Sequence, residues 1–400
     1  MADTSDRPSN REGFKIAIIC AVQPEWEAVN LQLDVSYETE GISYGKLNND
    51  QNAYTTGRFG GQHAVLVRMP GMGIAPAAAC AASLRMSFPC VELVLLVGIC
   101  GAAPYTADHR DILLGDVIIG SSVVPIGVGR LYPNGFKRKS SVEETVGRAP
   151  VEIRAFLGKV NYTLLEKKTA VHVAECYARD RRFPYPAAES DRLYRPDYQH
   201  MHQNPGSCSS CVKRESSAEE VCQDAASISC TELGCEDSQL LRDRGRRVDE
   251  PRVHVGPIAS SDSVIKSGIY RDEIVKREKV IAFEMEGAGA WDYASIIIIK
   301  SVCDYADSHK NKSWQQYASV TAAACTKALL EQWRPSYALK ILNHSGRSFP
   351  NFPNPCSNHD RSLILLFAIR RPNPVATKRP CWVKLSILFI CSYQTQTAGG

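Results

Sequence analysis

No apolar run in these 400 residues reaches the roughly 18–20 residues needed to span a bilayer. The longest late runs, Leu363–Ile369 and Leu385–Cys391, are far too short. Residues 1–12 are polar and mixed in charge, with no apolar signal core, so a secretory leader is not expected. Charge of one sign is also scarce: 47 Lys and Arg face 43 Asp and Glu, a net +4. Acids nearly vanish only from Ser336 to Gly400, where Asp360 stands against eight bases; removing that +7 leaves residues 1–335 at −3. A mildly acidic body argues against nucleic acid as a partner. There is no internal repeat at solenoid periods, no Walker P-loop and no complete dinucleotide fingerprint. Cysteine is plentiful, at 15 residues, but Cys20, Cys80, Cys90, Cys100, Cys303 and Cys325 lie in apolar runs where a reduced thiol acts as a small hydrophobe. A cytoplasmic, membrane-free protein without a disulfide framework is the expectation.

What is present is a strand–helix alternation. The buried run Phe14–Val22 leads through Pro24 into a helix. Ala53–Phe59 and His63–Met69 flank Gly60-Gly61 as a hairpin, and the Ala-rich stretch Ala75–Met86 reads as a helix. Val91–Val97 and Val117–Val124 read as strands. From about Arg130 to Arg252 the chain is charged and dotted with prolines, a loop-rich insertion with a helical piece at Ala149–Lys159. Order resumes with strands at Val253–Ala259, Val280–Phe283 and Ser295–Val302 and helices at Lys266–Arg277, from Glu286, and across Trp314–Trp333. This is an α/β pattern. The expected organisation is a disordered 1–12, one domain over 13–335 with the insertion 130–252, and a basic tail over 336–400 that is disordered or foreign to the fold.

Three acidic positions sit where strands end, the place where α/β sheets gather their sites. Glu284-Met285-Glu286 spans a strand-to-helix turn, and a carboxylate there suits two vicinal hydroxyls. Asp304 ends the apolar strand that contains Ile296–Ile299; partial burial would raise its pKa and make it a usable general acid. Glu25 follows the first strand. Taken singly, each is more simply an N-terminal or capping acid. Gly71-Met72-Gly73 and Gly98-Ile99-Cys100-Gly101 read as glycine turns whose N–H groups could approach an anion or a sugar.

The order of these features resembles the purine and uridine phosphorylase superfamily, which includes the methylthioadenosine/adenosylhomocysteine nucleosidases. The runs AFEMEGAGAWD and KSVCDYADSHKNKSWQQYASVTAAACTKALLEQW are most similar to the phosphorylase-like domains at the N-terminus of fungal NLR-type and ankyrin-repeat proteins. The resemblance implies a three-layer fold, a central mixed sheet flanked by helices. It implies cleavage of the N-glycosidic bond of a purine, in particular adenine, nucleoside or nucleotide. Asp304 would protonate or hydrogen-bond the leaving base, and Glu25 would activate water. Glu286 would bind the ribose hydroxyls, with Met285 beneath the sugar. Glu284, Phe283, Gly73, Gly98, Ile99, Cys100, Gly101, Val264 and Cys303 would complete the substrate site. The family works without a cofactor and commonly assembles as homo-oligomers.

The departures from that family bear on chemistry. Leu96 and Ile99 stand where hexameric phosphorylases carry a phosphate-binding arginine and serine, so water is favoured over phosphate as nucleophile. Arg68, Arg130 and Lys300 are alternative phosphate donors. Val264 replaces an aromatic residue, and Cys303 replaces a serine beside Asp304. The basic stretch from Arg130 to Lys139 could meet nucleotide phosphates, though a solvated loop is the plainer reading. A catalytically weak, nucleoside-sensing module and a true phosphorylase are the alternatives. In the insertion, His200, His202, Cys208 and Cys211, followed by Cys222, Cys230 and Cys235, include one Cys-x-x-Cys but no second one. Ordinary polar loop residues are the favoured reading there, with a structural zinc the alternative.

Overall fold

The structure is a computed structural model. It describes residues 7–133, 135–139, 149–204, 208, 211, 222, 224–242 and 250–334. The tail over 336–400 and much of the insertion lie outside the described residues. In chain order come β1 (Ile16–Cys20), α1 (Gln23–Leu31), β2 (Val35–Ser36), β3 (Tyr54–Phe59), β4 (Gln62–Arg68), α2 (Ile74–Ser87), β5 (Leu93–Ala102) and β6 (Val117–Pro125). Then follow β7 (Gly129–Tyr132), β8 (Gly135–Arg138), α3 (Val151–Lys159), α4 (Tyr162–Arg179), β9 (Leu193–Tyr194), α5 (Cys230–Leu233) and β10 (Leu240–Arg242). The last set is β11 (Val253–Ser260), α6 (Gly268–Glu278), β12 (Ala282–Glu284), α7 (Gly287–Ala290), β13 (Ile296–Asp304) and α8 (Gln315–Leu330).

Nine strands form one mixed sheet, the central sheet the resemblance implies, in the order β12-β11-β6-β13-β5-β1-β4-β3-β2. An extra antiparallel pairing, Phe283 with Gly101, curls β12 back onto β5. The apolar runs explain the centre: β1 and β13 are buried along their whole lengths, which a strand covered on both faces requires. β1 and β13 both run parallel to β5. Their carboxyl ends therefore meet at one edge, and that edge carries the chemistry. Helix α8, buried on nearly every residue, packs against β13, β5, α1 and α4. Among the described residues no helix is long and apolar enough to cross a membrane.

Three local differences from the sequence reading have physical causes. Gly98–Gly101 is not a turn. It continues β5, because β13 pairs alongside it as far as Asp304. Helix α4 was not expected within a loop-rich insertion. Its buried stripe is Leu165, Thr169 and Cys176, too weakly apolar to stand out, and its Lys168 and His172 reach Glu331 beyond α8. Residues 7–12, expected to be disordered, are tethered: Arg7 pairs with Glu40 at 2.8 Å and the Tyr44 hydroxyl donates to the Pro8 carbonyl at 2.9 Å.

Candidate functional site

Glu25 lies in the first turn of α1 but points back across the strand ends, and it is buried. One oxygen accepts hydrogen bonds from the Ala21 and Val22 amides at 2.8 and 3.0 Å; the other accepts from the Ile99 amide at 2.8 Å. β5 must be bare opposite this carboxylate. A Cβ at Gly98 would lie 2.1 Å from Glu25 Oε1. Burial raises the Glu25 pKa, and nearby Lys300 and the amide donors only partly oppose it.

The two carboxylates of Glu284-Met285-Glu286 separate as the strand ends. Glu284 turns onto the backbone, accepting from the Glu286 and Gly287 amides at 2.9 and 2.8 Å. Glu286 instead pairs with Lys300 Nζ at 2.9 Å, and both side chains are buried. Lys300 is wholly enclosed in β13. Burial by itself pushes its pKa down, but Glu286, Glu25 and Glu284 together hold it above the usual lysine value. A cation surrounded by three carboxylates stays charged and keeps Glu286 in place. This position rules out Lys300 as a free phosphate ligand.

Asp304 ends β13 against the second bare position of β5, where a Cβ on Gly101 would come within 2.8 Å of its Oδ1. Asp304 Oδ1 accepts from the Ala306 amide at 2.9 Å. Oδ2 meets the Cys303 thiol at 3.2 Å and Lys310 Nζ at 2.5 Å. Burial is the strongest single influence on Lys310 and lowers its pKa, yet Asp304, Cys303 and Cys100 together outweigh it and the group stays above its ordinary value. The loop that presents Lys310 is pinned. Tyr305 donates to Asp191 and accepts from Arg242, both at 2.5 Å, and Arg271 donates to the Tyr305 carbonyl at 2.9 Å.

These groups face one cavity of about 330 Å³. Glu25, Ile99, Cys100, Gly101, Val264, Phe283, Glu284, Met285, Glu286, Cys303 and Asp304 all line it. Gly98 and Gly73 do not. Gly98 makes room for Glu25 from behind, and Gly73 caps α2, whose first amide, on Ile74, donates to Asp262 at 2.7 Å. Sequence reasoning missed Met72, Lys310, Lys312 and Gln315 at the wall. Lys310 follows Asp304 by six residues in a polar loop, a spacing that carries no signal of contact. The basic stretch forms the hairpin β7–β8; its Arg138 is spent on the Pro125 carbonyl at 2.8 Å and Glu278 at 2.9 Å. Arg68, another possible phosphate donor, bonds Gln23.

Potential metal ligands gather away from the cavity, in two groups. His202, Cys208, Cys211 and Cys222 form one; His200, Cys230 and Cys235 form the other. His200 is thus parted from His202, Cys208 and Cys211, with which the sequence reading grouped it.

Comparison with known proteins bears out the resemblance read from the sequence. Residues 15–177 match the Phosphorylase superfamily. A nucleotide-binding leucine-rich repeat (NLR)-like protein of Hyaloscypha variabilis is 30% identical over 344 residues, which cover 82% of this chain. The chain spans 31% of the length of that relative. Similar solved structures include a Streptococcus pneumoniae MTA/SAH nucleosidase in complex with 8-aminoadenine, 17% identical, TM-score 0.48, with 80% of this chain and 100% of that one covered. Another is futalosine hydrolase of Helicobacter pylori, 15% identical, TM-score 0.45, with 80% and 99% covered.

Proposed function

With the phosphorylase-superfamily resemblance as premise, we propose that this chain cleaves the N-glycosidic bond of a purine nucleoside or nucleotide, adenine being the favoured base and water the favoured nucleophile. The observation that carries the reading is the convergence of three buried carboxylates, Glu25, Glu286 and Asp304, on one cavity from the ends of neighbouring strands. Breaking such a bond builds positive charge on the sugar, which carboxylates at close range stabilise. Glu286, held by Lys300, accepts the two ribose hydroxyls, and Met285 packs beneath the ring. Asp304 hydrogen-bonds or protonates the departing base, and Lys310 fixes its orientation. Glu25 keeps one oxygen with a single backbone donor, so it can take a proton from water, and its raised pKa suits that role.

Water is favoured over phosphate because of what surrounds Glu25. Among the described residues the lysines lining the cavity are Lys310 and Lys312, and Lys310 is occupied by Asp304. Ile99 offers no side-chain donor at the strand opposite Glu25. Lys312 favours a second reading of the substrate, as a nucleotide such as ATP whose phosphates it would meet.

The test is to incubate purified protein with adenosine, methylthioadenosine or ATP, with and without phosphate, and to follow free base and sugar. Base release without phosphate is the expected result. A sugar 1-phosphate product would replace hydrolysis by phosphorolysis. Ligand binding with no released base would replace catalysis by a nucleoside-sensing role.

A further inference from the structure

We propose that His202, Cys208, Cys211 and Cys222 bind one structural zinc ion, away from the cavity, and that this ion braces the loop carrying Lys310. The first half stands on geometry. All four donor atoms lie within 4.8 Å of one another. His202 Nδ1 is 3.3 Å from Cys211 Sγ and 3.9 Å from Cys222 Sγ, and Cys208 Sγ is 3.6 Å from Cys222 Sγ. A tetrahedral ion with Zn–S of about 2.3 Å and Zn–N of about 2.0 Å sets its ligands about 3.5–3.8 Å apart. The three measured distances fall within about 0.4 Å of that spacing, and every other pair of the four lies within 4.8 Å. Cys3His is also a complete donor set of the closed, structural kind.

A disulfide fits less well. The 3.6 Å between Cys208 and Cys222 is far beyond a sulfur–sulfur bond of about 2.05 Å. A disulfide would also leave a thiol and an imidazole converged for no purpose. The surroundings favour an ion too. Cys211 and Cys222 are buried, and among the described residues the other buried members of their apolar cluster are Ala225 and Leu233. Among the described residues, the regular elements from β9 to β10 are short: a two-residue strand, a four-residue helix, two three-residue 3-10 helices and a three-residue strand. Elements this short gain stability from a cross-link. The triad His200, Cys230 and Cys235 has three donors among the described residues and forms no part of this proposal.

The second half follows from where this segment docks. The His200 amide donates to Ser308 Oγ at 3.0 Å, and the Tyr194 ring stacks on His309 at 4.0 Å. Ser308 and His309 immediately precede Lys310, the partner of Asp304. The ion therefore fixes the wall on which that loop rests. This half rests on the functional reading given above; the first half does not.

The test is zinc content of the full chain, purified under reducing conditions and passed through metal-free buffer. About one tightly held zinc per chain is expected from this donor set. Cys211→Ser and Cys222→Ser should each lose that equivalent. Because these variants could fold poorly, the wild-type chain is also loaded with cobalt(II). Thiolate-to-cobalt charge-transfer bands with tetrahedral ligand-field bands support the site. A zinc-free chain that takes up no cobalt overturns it, as does an unreduced intact mass showing a Cys208–Cys222 disulfide. Zinc bound to a chain that releases no base from any nucleoside leaves the metal site standing and sinks only the catalytic reading. If zinc is bound and the chain is active, gentle removal of the ion should lower turnover while far-ultraviolet circular dichroism stays near native. Unchanged turnover would refute the bracing role.

Discussion

Gly98→Ala tests the site with the smallest possible change. The added methyl would lie 2.1 Å from Glu25 Oε1 and 2.5 Å from its carboxyl carbon. Non-bonded carbon contacts settle near 3.5–4.0 Å, so the carboxylate must retreat by about 1 Å or more. It cannot do so and keep the 2.8 Å bond from the Ile99 amide. That part-buried amide then loses its partner, at about 0.5–1.5 kcal/mol. Against a total stability of about 5–15 kcal/mol the variant should still fold. Catalysis should suffer more, since displacing a reacting group by about 1 Å costs on the order of 10²-fold. The assay is kcat/KM for base release, paired with urea unfolding. Gly158→Ala is the control: Gly158 lies in α3 with nothing within 4 Å of its would-be Cβ, so alanine should stabilise by about 0.5–1 kcal/mol and leave turnover alone. A folded Gly98→Ala protein with kcat/KM within about twofold of wild type would refute the placement of Glu25 in the reaction.

Lys300→Met should destabilise by about 3–5 kcal/mol in chemical denaturation, because it strands buried Glu286 without its cation. Adding Glu286→Leu should recover part of that loss but none of the activity; no recovery would show that the pair is not the dominant interaction of Lys300. Asp304→Asn should abolish base release while ligand binding and fold persist, and unchanged turnover would remove Asp304 from the mechanism. The pH profile should fall on the acid side as Glu25 gains a proton. Because burial raises its pKa, the fall should begin above the usual glutamate value of about 4.3. In Glu25→Gln the residual rate should lose this acid limb, and a limb that persists would assign it to another group.

Much of the fold was legible because long apolar strands and their turn residues act locally. Ile296–Ile299, the Ala-rich α2 and the glycine pair between β3 and β4 announce their elements whatever surrounds them. Glu25, Glu286 and Asp304 were also visible, as acids placed where strands end. What the sequence could not give is partnership between distant residues. Helix α4 escaped notice because a Leu–Thr–Cys stripe becomes a core face only once α8 lies against it. Gly98 and Gly101 read as turns, yet they are bare positions on a strand, emptied for carboxylates that arrive from 73 residues before and 203 after. Lys300 read as an alternative phosphate donor and Lys310 carried no signal; ion pairing with Glu286 and Asp304 makes them counter-charges of the carboxylates instead. Local pattern determined the strands, helices and acidic strand ends. Tertiary structure decided which charges meet, because a buried charge is tolerated only beside its partner, and that partner is set by strand register rather than by sequence spacing.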